Sequence, residues 1–122
     1  MPSTCYIGGP MTGHPHFNFP AFDRAADLLR SWGWIVYSPA EHDREGGVDP
    51  TRYPTGDLAQ LRADGFDLKA AFRWDLDRLF EVDAIVLLPG YSASKGVGAE
   101  LAVAQIIGLQ VGYIDGDSLA WA

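Results

Sequence analysis

The run Ala84–Leu88, AIVLL, closed by Pro89 and Gly90, restricts the fold more than any other segment. Apolar residues without alternation suit a strand covered on both faces. Such strands belong to parallel sheets flanked by helices. Thr4–Gly8, TCYIG, is a second β-prone run, ended by Gly9, Pro10 and Gly13. WIVYSP (34–39), closed by Pro39, and QVGYI (110–114) are two more.

Helical patterns lie between these runs. NFPAFDRAADLLRSWG (18–33) places Phe22, Ala25, Ala26, Leu29 and Trp32 at helical spacing. Asn18 is its expected N-cap, Pro20 lies in its first turn, and Gly33 stops it. DLKAAFRWDLDRLFEV (67–82) follows, with Asp67 as N-cap. In SASKGVGAELAVAQIIG (92–108), the residues from Val97 onward form a helix that is apolar almost all round. Strand and helix alternate, which predicts one domain over 1–122. Its sheet is doubly wound, open and parallel, with about four to five strands and helices on both faces. Ligands of such sheets bind beyond the carboxyl ends of the strands, here the loops after YIG, VYSP, LLPG and GYI. Residues 40–66, rich in Gly, Pro and charge, read as a long irregular loop, a lid or a disordered segment. A short helical turn at Leu58–Ala63 is expected within it. DGDSLAWA (115–122) reads as a tail.

Composition narrows the class. The formal net charge is −7, which argues against nucleic acid as a partner, since that needs a basic face. A small anion held by local donors is still compatible. Cys5 is the single cysteine, so no intrachain disulfide forms and a reducing compartment fits. With no leader-like start and no apolar run of about 18 residues, a cytoplasmic protein with no membrane partner is expected. A chain of 122 residues buries a modest share of its surface, which fits an oligomer.

Glu100 stands in the first turns of the apolar helix, behind Gly96 and Gly98. A glutamate there is favourable toward the helix dipole, and that is the ordinary reading. A helix apolar all round is expected to be buried, however, and a buried carboxylate is costly without a partner. The two glycines also leave room for a ligand near the backbone. Ser94 and Lys95 lead into the helix, either as a plain cap or as an anion cradle. The P-loop order is absent. On the 67–82 helix, Asp75 falls within the arc of Leu68, Phe72, Leu76 and Leu79, and Asp77 falls opposite. Asp75 is thus either a cap for neighbouring backbone or an acid aimed at a ligand. Tyr6 runs into the glycine-rich turn YIGGPMTG, which lacks the dinucleotide spacing; alone it reads as a core tyrosine with a satisfied hydroxyl. His14 and His16 form an H-x-H pair without a cysteine cluster or carboxylate pair. They read as loop or ligand contacts rather than a metal site. His42 carries no signal.

Taken together, YIGGPMTG, WDLDRLFEVDAIVLLPG and SKGVGAELAVAQIIGLQVGYI resemble the nucleoside 2-deoxyribosyltransferase superfamily. The likeness is above all to its 2'-deoxynucleoside 5'-monophosphate N-glycosidases and to small phage and bacterial members. It implies a flavodoxin-like α/β fold, commonly dimeric or higher, with sites near the subunit interface. It implies Glu100 as nucleophile, Asp75 as acid to the leaving base and Tyr6 as the group that positions the nucleophile. Ser94 matches a position that is serine in the monophosphate branch. Gly9 and Gly98 match backbone contacts to the ligand, and Met11, Lys95 and Gly96 fall in the same two substrate-binding segments. The ligand implied is a nucleotide or nucleoside, cleaved by hydrolysis or transfer without metal or other cofactor. Thr12 departs from the pattern, because the monophosphate glycosidases carry a phosphate-binding arginine there. Lys95, Arg44 or Arg52 are candidates to compensate, and Ser118 to replace a serine given by the partner subunit. A non-catalytic nucleotide or nucleotide-sugar binding module is the other class this fold accommodates, and a flavin site a third.

Overall fold

A computed structural model describes residues 3–122. Five strands form one sheet in the order β2-β1-β3-β4-β5. They are β1 (Thr4–Gly8), β2 (Ile35–Tyr37), β3 (Ala84–Leu87), β4 (Gln110–Asp115) and β5 (Ser118–Trp121). The pairs β1–β2, β1–β3 and β3–β4 are parallel, and β4–β5 is antiparallel. Helices are α1 (Phe19–Ser31), α2 (Pro39–Glu45), α3 (Leu58–Ala63), α4 (Leu68–Leu79) and α5 (Lys95–Ile107). The AIVL strand is buried throughout and lies in the middle of the sheet, as its unbroken apolar run requires. The fold is a flavodoxin-like α/β sheet.

Alternation along the strands sorts the core. Cys5, Ile7, Ala84 and Val86 face α1 with its Phe22, Ala26 and Leu29. Tyr6, Ile85 and Leu87 face the opposite layer, where Leu79 of α4 and Val97 and Ala104 of α5 pack. Winding reverses between β1 and β3, which opens a crevice at their carboxyl ends. The turns after β1 and β3 border it.

Several expectations require correction. Residues 40–66 are not a bare loop: they hold most of α2, all of α3 and a short 3-10 turn at Pro50–Arg52. Pro39 does not merely close a strand; it opens α2, where a missing N–H costs nothing. The DGDSLAWA segment is not a tail, since Ser118–Trp121 pairs with β4 and Trp121 lies over Gly112 and near Trp34. Another correction concerns α5. Val97, Glu100 and Ala104 are buried, but Ile106 is 83% exposed and Ala99 and Ala102 are open as well. Its apolar character therefore leaves one face uncovered in the single chain. Asp67 caps α4 as expected, accepting from Ala70 N. Asn18 occupies the cap position of α1 but sends its Nδ2 to the Pro10 carbonyl instead.

Among the described residues no helix is long and apolar enough to cross a membrane.

Gly9 is explained by packing. A Cβ there would lie 2.8 Å from Leu88 Cδ1 and 2.9 Å from Leu88 Cβ. Contact with the Cβ cannot be relieved by a rotamer change alone. Gly9→Ala is expected to destabilise the chain by about 1–3 kcal/mol. Urea unfolding should show a lower midpoint with an unchanged slope.

Candidate active site

The first strand delivers Tyr6 to the α5 side of the sheet, 1% exposed. From the other direction, the first turns of α5 deliver Glu100, 4% exposed. The Tyr6 hydroxyl donates to Glu100 Oε2 at 2.9 Å. The two residues are 94 positions apart in sequence. Glu100 is therefore not the exposed first-turn glutamate of the ordinary reading. Burial pushes its carboxyl up to about 7, and the Tyr6 hydrogen bond partly opposes this. The Tyr6 hydroxyl is raised well above its ordinary value by burial and by the neighbouring carboxylates, Glu100 before Asp75.

Asp75 comes from α4 and faces inward, while Asp77 on the same helix is exposed. Its Oδ1 is buried without a hydrogen-bond partner among the described residues. Burial, then the Glu100 charge, then Asp43 raise its pKa to about 9; the Tyr6 hydroxyl lowers it. Asp75 is thus a protonated acid near neutral pH, beside a carboxyl that ionises near pH 7. Two carboxyls whose surroundings push their pKa values apart can divide acid and nucleophile roles.

Asp75 also lines a cavity of about 90 Å³. Phe17, Phe19, Phe66 and Phe72 supply aromatic wall, Met11 and Thr12 line it from the β1 turn, and Asp43 lines it from α2. No lysine, arginine or histidine is among the lining residues. Sequence reasoning missed Asp43, which sat in the supposed loop. A helical reading of PAEHDRE, with Pro39 first, would have revealed it. Burial pushes its carboxyl up to about 7. Gly8 was missed as well. A Cβ there would meet Leu87 Cδ2 at 3.2 Å and Glu100 Oε1 at 3.4 Å, so the glycine leaves room for the carboxylate. The doubled glycine ending an apolar strand was the available signal.

The structure brings Tyr6, Glu100 and Asp75 together and places Met11 on the adjoining cavity. Ser94 caps α5, its Oγ accepting from Val97 N at 3.2 Å. Lys95 is exposed at the first position of α5. Arg44 is engaged elsewhere, its Nη2 2.8 Å from Asp23 Oδ2, and Arg52 does not line the cavity. Ser118 lies exposed in β5 opposite Asp115. His14 lines a separate open hollow with Arg24 and Asp115. His42 is not idle: it stacks on Trp74 at 3.9 Å between ring centres, 7° from parallel.

Gly96 and Gly98 lie within α5, and a Cβ at Gly98 would meet nothing within 4 Å. No internal contact requires a glycine at 98, although glycine weakens a helix. Gly98→Ala is expected to raise stability by about 0.5–1 kcal/mol. It should at the same time weaken whatever ligand approaches the start of α5. Thermal melting and ligand titration on the same preparation check both effects.

A second expectation follows from Asp75. Its carboxyl holds a proton to about pH 9 when folded and to about its ordinary value of 3.8 when unfolded. The stability it contributes is full below the lower value and is lost as pH rises through the higher one. Asp75→Asn removes that loss. The variant's melting temperature should equal or trail the wild type at pH 4 and exceed it by a growing margin up to pH 9. A constant difference across this range would contradict the buried, protonated assignment.

A search among curated proteins finds no match to the chain. Residues 3–113 match the family described as "Domain of unknown function (DUF4406)", a span that takes in β1 through most of β4 and every residue of the site, and the chain belongs to that family.

Proposed function

We propose that the protein cleaves the N-glycosidic bond of 2'-deoxynucleosides or their monophosphates, by hydrolysis or transfer. The observation that carries this reading is the buried Tyr6–Glu100 hydrogen bond beside a protonated Asp75. The likeness to nucleoside 2-deoxyribosyltransferases in the segments that supply these residues supports it.

The chemistry follows from the arrangement. Cleavage of a deoxynucleoside passes through an oxocarbenium-like state at C1', which an anion stabilises. Glu100, ionised, attacks C1' as the C–N bond breaks, forming a glycosyl ester. The Tyr6 hydroxyl holds one carboxylate oxygen and so fixes the orientation of the other. Asp75 gives its proton to the departing base, leaving an Asp75 carboxylate and a neutral base. That carboxylate then takes a proton from water, or from an acceptor hydroxyl, as it attacks C1' and frees Glu100. Both catalytic groups are restored.

The cavity beside Asp75 suits the heterocycle, because its walls are aromatic and aliphatic. With no cation on the lining, a phosphate belongs outside it, toward the start of α5 where Lys95 stands. With Thr12 in place of an arginine, the proposal covers nucleosides and monophosphates alike.

Incubation with each deoxynucleoside and deoxynucleoside monophosphate should release free base, detected by chromatography. Glu100→Ala should reduce the rate at least about a hundredfold. Absence of release from every substrate would overturn the proposal, and a nucleotide-dependent rise in melting temperature without turnover would favour a binding module. For the wild type, kcat/KM should be bell-shaped. The rising limb near pH 7 marks Glu100 ionisation and the falling limb near pH 9 marks loss of the Asp75 proton. The two limbs are properties of the interacting pair.

A further inference from the structure

We propose that the hollow between α1 and the carboxyl ends of β3 and β4 binds a ribose phosphate, free or as part of a nucleotide. Arg24 takes the phosphate and Asp115 takes the two vicinal hydroxyls.

The hollow has a volume of about 420 Å³, within the range of small-molecule sites. Leu88, just past β3, and Ile114, near the end of β4, line it from the sheet, and Ala25 lines it from α1. All three belong to the apolar layer under α1, opposite the layer that holds Tyr6 and Val97. The hollow is thus a different place from the Tyr6–Glu100 crevice. Ligands of open α/β sheets settle beyond the carboxyl ends of strands, and two parallel strands end here.

Two opposite charges line this hollow without meeting. Arg24 comes from α1 and Asp115 from the end of β4. Among the described residues the ion pairs are Arg30–Glu41, Arg44–Asp23 and Arg78–Glu81, and neither Arg24 nor Asp115 takes part. A guanidinium and a carboxylate that share a hollow but stay apart leave room for a ligand with two unlike ends. The planar fork of Arg24 matches a phosphate. The carboxylate accepts only, and two adjacent hydroxyls suit its two oxygens. A ribose 5-phosphate carries both groups on one ring. The apolar wall suits the C–H face of the sugar or the face of an attached base.

The remaining polar lining is held in place. Asn18 sends Nδ2 to the Pro10 carbonyl at 2.9 Å, so its Oδ1 is left for a ligand donor. His14 N donates to Met11 O at 3.1 Å, and Gly56 packs against the His14 carbonyl so closely that a Cβ has no room. His16, Phe17 and Asn18 have φ of 55°, 53° and 62°, three consecutive left-handed residues without a glycine. Such backbone persists only where its surroundings hold it. Here His16 N donates to Tyr53 O at 3.0 Å. Phe17 lines the cavity beside Asp75, while His14 and Asn18 line the hollow. The strained turn is therefore a fixed wall between two sites. A free amino acid could also bridge Arg24 and Asp115, but it leaves His14 and the Asn18 Oδ1 unused.

The test is an NMR titration of the labelled full chain with ribose 5-phosphate, AMP, ribose, inorganic phosphate and L-serine. Ribose 5-phosphate or AMP should shift the amides of Asn18, Arg24, Asp115 and Gly116 saturably. The tighter of the two shows whether the ligand is a free sugar phosphate or a nucleotide. Ribose 5-phosphate should bind at least about tenfold tighter than ribose or inorganic phosphate. Arg24→Gln should weaken it at least about tenfold, and Arg24→Lys by less, since the charge remains without the fork. Asp115→Ala should cut the ratio between ribose 5-phosphate and inorganic phosphate. Lys95→Ala, at the start of α5, should change neither affinity. Arg24 and Asp115 are exposed, so these variants should fold. The inference is overturned if no saturable shift appears at these amides, if shifts are confined to residues 94–98, or if L-serine binds in place of the phosphates. An affinity untouched by Arg24→Gln, or a ratio untouched by Asp115→Ala, overturns it as well. Binding alone is read, so the outcome is independent of whether any glycosidic bond is cleaved.

Discussion

A single hydrogen bond, from the Tyr6 hydroxyl to Glu100 Oε2, ties the two halves of this chain together at the place where chemistry is possible. A glutamate that is 4% exposed in an apolar layer is a liability without a partner. Tyr6 offsets part of that cost, and Glu100 in turn gives its buried hydroxyl an acceptor. Neither residue makes sense alone. Gly8, one pleat beyond Tyr6, leaves the space that the carboxylate fills. The bond also joins the first strand to the fifth helix at the crevice where the winding of the sheet reverses.

The site is built against stability. Glu100, Asp75 and Asp43 all hold their protons more tightly when buried than in water. Above neutral pH each therefore opposes folding. The stabilising side of the balance lies elsewhere, in the two apolar layers around the sheet. Locally, the His42–Trp74 stack and the Arg30–Glu41 pair hold α2 in place. The short helix thus brings Asp43 against α4, which is 12 residues long. Separating the scaffold from the buried carboxyls in this way is what the proposed acid–nucleophile pair requires.

Much of this was legible in the residues. The unbroken AIVLL run placed the central strand, and helical spacing put Asp75 inside its stripe and Asp77 outside. Ser94 was readable as a cap, and Glu100 as a carboxylate in the wrong company. Other parts were hidden for physical reasons. PAEHDRE carries too few apolar residues to show a helical period, so α2 and its Asp43 looked like loop. The Ser118–Trp121 strand is short and mostly exposed, and its pairing depends on Trp121 finding Gly112 rather than on its own pattern. The α5 helix misled in the opposite sense: its apolar residues suggested complete burial, but the sheet covers one face only.

What the sequence by itself determined is the set of elements and the chemical types at their ends, because hydrophobic period, caps and turn residues act over a few neighbours. It determined that an aspartate would face inward on α4 and that a glutamate would open α5. Only the tertiary structure decided that Tyr6 and Glu100 meet, that Asp75 is left without a partner for Oδ1, and that Asp43 shares its cavity. Those outcomes depend on contacts between residues tens of positions apart. Burial there changes what a carboxyl is: in water all three would be ordinary anions at neutral pH, whereas in the packed crevice Asp75 is raised to about 9 and Glu100 and Asp43 to about 7.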